Sequence, residues 1–266
     1  GVGVDPETME IRKYELDNLV LWDTPGLGDG KEADNRHAKN IIDKLLEVDE
    51  NGNALIDLVL VILDGGSRDL GTSYELINKV IIPNLGKGKE NRILVAINQA
   101  DMAMKGRNWD YDKNEPNQKL VDFLEEKVRS VRDRVYEATG VTIEPIYYSA
   151  GYREKGGEQS RPYNLSKLLY YIVKATPSEK RATYVNNINE NREMWRDDDK
   201  LLDYGEATRK SIFESIREGA STGADIGGAI GSIFGSAGET IGRGLGGVVG
   251  GFIGGAIGAI GGLFGL

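Results

Sequence analysis

Short apolar runs alternate along the chain with longer amphipathic stretches. Leu58-Val59-Leu60-Val61-Ile62-Leu63 and Ile93-Leu94-Val95-Ala96-Ile97 are continuously apolar, as parallel strands covered on both faces must be. Ile143–Tyr148, interrupted by Glu144 and Pro145, reads as a third strand of this kind. Leu19-Val20-Leu21-Trp22 is stopped by Asp23, Pro25 and Gly26, and with Met9–Leu16, turned at Asp17-Asn18, it predicts a hairpin. Between these runs the spacing predicts helices over 33–48, 70–81, 116–138 and 164–175. In the third, Leu120, Phe123, Leu124, Val128, Val131 and Val135 make one buried stripe. Strand–helix alternation of this kind predicts an α/β fold with a mainly parallel sheet. Such sheets place ligands at the carboxyl ends of their strands.

Composition narrows the chemistry. The chain has 266 residues, 33 Lys+Arg against 42 Asp+Glu, no Cys and one His. A net charge of −9 leaves no basic excess for coating phosphates, so no DNA partner is expected. The absence of Cys excludes disulfides and thiolate metal sites and suits a reducing compartment. A single His, His37, all but excludes a Ser-His-Asp triad, and it reads as a solvated helix residue.

The predicted strand ends carry Asp23-Thr24-Pro25-Gly26, Asp64-Gly65-Gly66, Asn98-Gln99-Ala100-Asp101 and Ser149-Ala150-Gly151. Here residues 1–176 resemble the Era-like branch of small P-loop GTPases, and most nearly its bacterial YfjP/YeeP type. Asp23–Gly26 matches the DxxG switch motif, Asn98–Asp101 the guanine-reading N-[KQ]-x-D motif and Ser149-Ala150 the SA motif. Their order agrees, with 75 residues from Asp23 to Asn98 and 51 from Asn98 to Ser149. The resemblance implies a three-layer Ras-like fold that binds GTP or GDP with Mg²⁺. Asp23 would hold Mg²⁺ through its water shell, and Thr8 would join that shell from switch I. Gly26 would offer its N–H to the γ-phosphate. Asp101 would accept two hydrogen bonds from guanine, Asn98 would brace the loop, and the Ala150 N–H would meet the guanine carbonyl.

Three departures qualify the likeness. No G-x-x-x-x-G-K-[ST] occurs, so the phosphate grip is expected upstream of Gly1, in a chain cut at its N-terminus. Loss of the central strand that bears that motif would leave two hydrophobic sheet edges unpaired. Gln99 stands where Lys is usual, which weakens affinity while Asp101 keeps selectivity. Leu27 follows Gly26 where a water-orienting Gln sits in Ras-like enzymes, so no catalytic residue is identified. The resemblance implies that the full-length protein is a GTPase switch, turning GTP and water into GDP and phosphate, while the fragment is expected to be inactive.

Residues 177–218 are rich in charge, predict a helix at Glu206–Arg217 and read as a solvated connector. Beyond them, 19 of the 36 glycines fall in residues 219–266, which hold only three charged residues, Asp225, Glu239 and Arg243. Glycines recur every four or three positions from 219 to 262, interleaved with Ile, Leu, Val and Phe. In water each Gly costs a helix ~1 kcal/mol against Ala; close helix–helix approach, the use of G-x-x-x-G in bilayers, offsets this. Gly244–Leu266 is uncharged over 23 residues, ~34 Å of helix, enough for a ~30 Å hydrocarbon core. The expectation is a glycine-zipper helical hairpin that inserts in a membrane or self-associates, on a cytoplasmic, membrane-associated protein able to form homo-oligomers. Its main competitor is a soluble hairpin packed under the α/β domain. Two other functions stay open: a pore-forming effector with a regulatory or degenerate G domain, and a ribosome-assembly GTPase.

Overall fold

The two continuously apolar runs pair side by side. In the computed structural model, which describes residues 10–17, 19–28, 30–152, 160–217, 260 and 262–264, β3 (Val59–Asp64) lies parallel to β4 (Ile93–Asn98). Asp64 sits opposite Asn98. On the other edge of β4 runs β7 (Ile146–Tyr147), with Ile97 opposite Tyr147. β7 is shorter than its apolar run because Pro145 has no N–H to give a ladder. The predicted hairpin forms from β1 (Arg12–Leu16) and β2 (Leu19–Asp23), antiparallel, as a separate two-stranded sheet. A third pair, β5 (Trp109–Asp110) with β6 (Glu115–Pro116), is too short for any periodicity to reveal. The chain is thus mixed α/β around a parallel three-stranded sheet.

The helices fall close to their predicted places. α1 (Lys31–Leu45) buries His37, Ile41 and Leu45, one residue per turn on a single face. This corrects the reading of His37 as solvated: its ring is fully buried because it opens that stripe. α2 (Gly71–Glu75) continues through π-helical turns, Leu76–Ile81, into α3 (Ile82–Asn84). Pro83 explains the widening, since it removes a donor and crowds the carbonyl four residues back. α4 (Gln118–Thr139) starts at Asn117, whose side chain accepts from the Leu120 N–H, and ends at left-handed Gly140. α5 (Leu165–Ala175) and α6 (Tyr204–Ser215) follow later in the chain.

Alternation along β3 and β4 divides the interior in two. Val61, Leu63, Ile93, Val95 and Ile97 face a core closed by α1, the α2–α3 stretch and α4. Leu60, Ile62, Leu94 and Ala96 face a second core built from α5, α6 and the segments between them. Tyr184, Ile188, Trp195 and Ile212 belong to that second core. Residues 177–217 are therefore not a solvated connector; their sparse apolar residues cover a sheet face, and most of their charge lies outward, with Asp198 and Asp199 turned inward. Ile260, Leu263 and Phe264 are seated in the same core. Asn189 fastens them, its N–H donating to the Leu263 carbonyl (2.8 Å) and its side-chain amide to that of Gly262 (2.9 Å). Residues 219–259, with most of the glycine zipper, lie outside the described residues, as does Thr8. No described helix is long and apolar enough to cross a membrane.

Buried polar groups fix the second layer to the sheet. Asn164, fully buried and left-handed (φ 59°), donates to the Tyr147 carbonyl (3.1 Å), while its own side-chain oxygen accepts from the Asp199 N–H (2.9 Å). Asp199 accepts from Lys167 (2.6 Å) and from the Tyr204 hydroxyl (2.9 Å). Beside it, burial pushes the Asp198 carboxyl up to about 6 from its usual 3.8, and its Oδ1 has no partner. A carboxyl raised in the folded state binds its proton more tightly there than when unfolded. Stability therefore falls as pH rises from about 4 to about 6, and the deficit persists above. The gap of ~2 pH units sets its ceiling at ~3 kcal/mol. Asp198→Asn should raise the melting temperature at pH 7.5, with the gain shrinking towards zero at pH 4. Thermal melts at both values check this, and an equal shift at both would refute it.

Candidate functional site

Parallel pairing brings the carboxyl ends of β3, β4 and β7 to one edge of the sheet, and the loops leaving them interlock. Gly65, just past β3, donates its N–H to the Asn98 carbonyl at 2.7 Å. A Cβ on Gly65 would lie 2.5 Å from that oxygen and 2.9 Å from the Gln99 carbonyl. Only glycine lets the two strand ends approach so closely. Gln99 turns left-handed (φ 59°) there, a conformation that costs a non-glycine residue ~1–2 kcal/mol. The turn is held from both sides: the Ala100 N–H donates to the Tyr148 carbonyl (3.1 Å) and the Met102 N–H to that of Gln99 (3.0 Å).

From this scaffold four of the expected site residues meet. The Ser149 hydroxyl donates to Asp101 Oδ1 at 2.6 Å. The Ala150 N–H donates to Asn98 Oδ1 at 3.0 Å. Asn98 thus ties its own strand end to the loop after β7, and it occupies the Ala150 N–H expected to meet a guanine carbonyl. Ser149 is buried and pinned by paired backbone hydrogen bonds with Tyr163, each 2.9 Å. Tyr163 in turn takes the edge of Trp109, centroids 5.2 Å apart. Asp101 is half-buried, and its second oxygen makes no hydrogen bond among the described residues. Gln99 is exposed at the rim. The arrangement offers an anionic acceptor, held still by a hydroxyl, beside an amide-braced loop.

Asp23 and Gly26 stand at the end of β2, in the separate hairpin sheet. Asp23 is buried, at 5% exposure. Gly26 presents its carbonyl to His37 Nδ1 at 3.2 Å, so the single histidine steadies the loop that follows β2. No group of three or more His, Cys, Asp or Glu that could hold a metal occurs among the described residues. A Mg²⁺ would find Asp23 as a carboxylate that can act through water, with Thr8 outside the described residues.

Two contributors carried only faint signals. Lys127 falls where the apolar stripe of α4 would continue, between Leu124 and Val128, and its Nζ donates to the carbonyls of Asp64 (3.1 Å), Gly65 (2.8 Å) and Ser67 (2.8 Å). Desolvation lowers its pKa, with Asp64 opposing the shift. The other is His37, equally legible as a polar residue on an apolar stripe.

Comparison of the chain with protein-family models, with curated proteins and with solved structures found no match in any of the three.

The Gly65–Asn98 approach makes a direct prediction. Gly65→Ala should destabilise the protein by ~1–3 kcal/mol, the usual range for overpacking. It should also accelerate amide exchange at Ala100 and Ala150 more than at the β3–β4 core, which hydrogen-exchange mass spectrometry can read.

Proposed function

We propose that this chain carries the base-reading half of a guanine-nucleotide site, and that the protein is a GTPase-type switch. The supporting observation is the cluster of Asn98, Asp101, Ser149 and Ala150 at the ends of adjacent parallel strands, tied by the 2.6 and 3.0 Å hydrogen bonds. A fixed carboxylate with an available oxygen suits the N1–H and exocyclic amine of guanine. Adenine lacks that donor pair, and a site built to hydrogen-bond a missing group rejects the wrong ligand by ~10⁴ or more. The Ser149 hydroxyl fixes the Asp101 rotamer before the base arrives, so little ordering is needed on binding.

The two halves of the implied ligand fit unequally. The base half has its residues. For the phosphates, the chain has no G-x-x-x-x-G-K-[ST] sequence; the Gly26 N–H is the candidate from the loop after β2, with Asp23, through water, and Thr8 as the candidates for Mg²⁺. When bound, Mg²⁺ would neutralise charge on the phosphate oxygens. Leu27 beside Gly26 cannot orient water, so the residues present bind and discriminate rather than hydrolyse. Membrane association through residues 219–266 is the second part of the proposal and rests on their sequence. The packed Ile260 and Leu263–Phe264 favour a variant of it in which part of that segment is held against the body.

Saturation-transfer NMR with GDP, XDP and ADP on the 266-residue chain tests the base reading. GDP should bind weakly but in preference to ADP. Asp101→Asn should weaken GDP by ~10–100-fold, the worth of hydrogen bonds to a charged group, and transfer preference to XDP. Equal binding of GDP and ADP would falsify the proposal.

A further inference from the structure

Beside the interlocked loops, and sharing Gly65 and Gly66 with them, lies a recess of about 870 Å³. The loop after β3 forms one wall, residues 104–108 the other, and α4 the floor. Six basic residues line it, Arg68, Lys105, Arg107, Lys119, Lys127 and Arg134, against two acids, Asp69 and Glu126. This is a cationic concavity in a chain whose net charge is −9.

Two of the six cations are occupied. Lys127 holds three carbonyls, as described, and the Arg134 guanidinium sits 5.4 Å from the Tyr74 ring centroid. The side chains of the other four are exposed and make no hydrogen bond or ion pair among the described residues. Elsewhere the abundant carboxylates do pair with Lys and Arg, as in Lys44–Glu47, Lys79–Glu75, Arg209–Glu206 and Lys180–Asp57. Four like charges around one cavity repel one another, and an anion relieves that repulsion.

The backbone supplies an independent sign. Met104 (φ 53°) and Lys105 (φ 63°) are consecutive left-handed non-glycine residues, and Asn108 (φ 71°) follows. Strain of this kind persists where the surroundings hold it, and it clusters at binding loops. Here it sets the segment bearing Lys105 and Arg107 at the rim of the recess. Tyr74 and Phe123 add an aromatic part to the lining, with Phe123 39% exposed.

We infer that this recess binds a small, multiply phosphorylated ligand. Arg forks and Lys point charges are the residues that grip phosphate, and the volume is that of a ligand pocket rather than a single-ion site. The exposed aromatic surface suits the ligand's organic portion. A nucleic-acid strand fits less well, because the unpaired cations surround one concavity rather than tracking along a groove. The phosphates could belong to a free solute or to a lipid headgroup, which the experiment separates.

The full chain is titrated calorimetrically with tripolyphosphate alone, and sedimented with phosphatidylcholine vesicles with or without a phosphatidylinositol bisphosphate. Saturable binding of either probe is expected, falling with added salt. Binding of tripolyphosphate alone identifies a free solute, and binding only of the phosphoinositide vesicles identifies a lipid. Lys105→Ala/Arg107→Ala should weaken it about tenfold or more, and Lys119→Ala, on an exposed helix position, should weaken it independently. Lys89→Ala/Lys174→Ala, in the separate cavity beside the start of β4, should leave it unchanged. Excess guanosine, which has no phosphate, should not displace tripolyphosphate, so failure here and failure of the base reading are told apart. No saturable binding of either probe, binding of RNA alone, or equal binding by the recess variants overturns the inference.

Discussion

A parallel strand pair that is apolar on both faces must be covered twice, and most of this structure follows from that requirement. The odd-numbered residues of β3 and β4 are covered by helices close to them in sequence, α1 to α4. The even-numbered ones need a second layer, and the chain assembles it from α5, α6, the turns around Tyr184 and Trp195, and Ile260 with Leu263–Phe264. Charge-rich sequence is thereby recruited into a structural role, because a few well-placed aromatic and aliphatic residues suffice to cover a face. The buried polar ties at Asn164, Lys167 and Asp199 then fix one arrangement of that layer. A buried ion pair contributes little net stability against an apolar substitute, but breaking one is costly.

The same pairing creates the candidate site. Alignment of the ends of β3 and β4, with glycine where the chains cross, brings Asn98 and Asp101 within reach of the β7 loop. The Ser149–Asp101 and Ala150–Asn98 hydrogen bonds each link residues about fifty positions apart in sequence, so the site exists only once the sheet has formed. Gly65 belongs to both places at once: its N–H meets the Asn98 carbonyl beside the Asn98–Asp101–Ser149 cluster, and it lines the cationic recess. Lys127 holds the carbonyls of that crossing from the helix side, and the Asn98 carbonyl holds its amide from the strand side.

Much of the fold was legible because strong periodicity survives tertiary context. The apolar runs of β3 and β4 and the β1–β2 hairpin fall within a few residues of their expected limits, and so does the stripe of α4, except that Phe123, expected within it, is exposed. What could not be read has specific causes. Pro145 shortened β7 from within an apolar run. The two-residue strands β5 and β6 have no measurable period. Pro83 turned one predicted helix into a π-helical stretch. His37 and Lys127 were hidden by their polarity, although both occupy apolar-stripe positions and both bond to backbone carbonyls. In the site, the meeting of Asn98, Asp101, Ser149 and Ala150 could be anticipated from strand order. The capture of the Ala150 N–H by Asn98 depends on side-chain geometry that spacing does not encode.

Ile212 on α6 and Ile260 with Leu263–Phe264 share one core although about fifty positions separate them in sequence. Because Leu263 and Phe264 lie in the cluster that also holds Leu94 and Ala96, lifting them out would bare apolar surface on the second face of the sheet. Release of this short segment and exposure of that surface are therefore one event, and the cost of the second opposes the first.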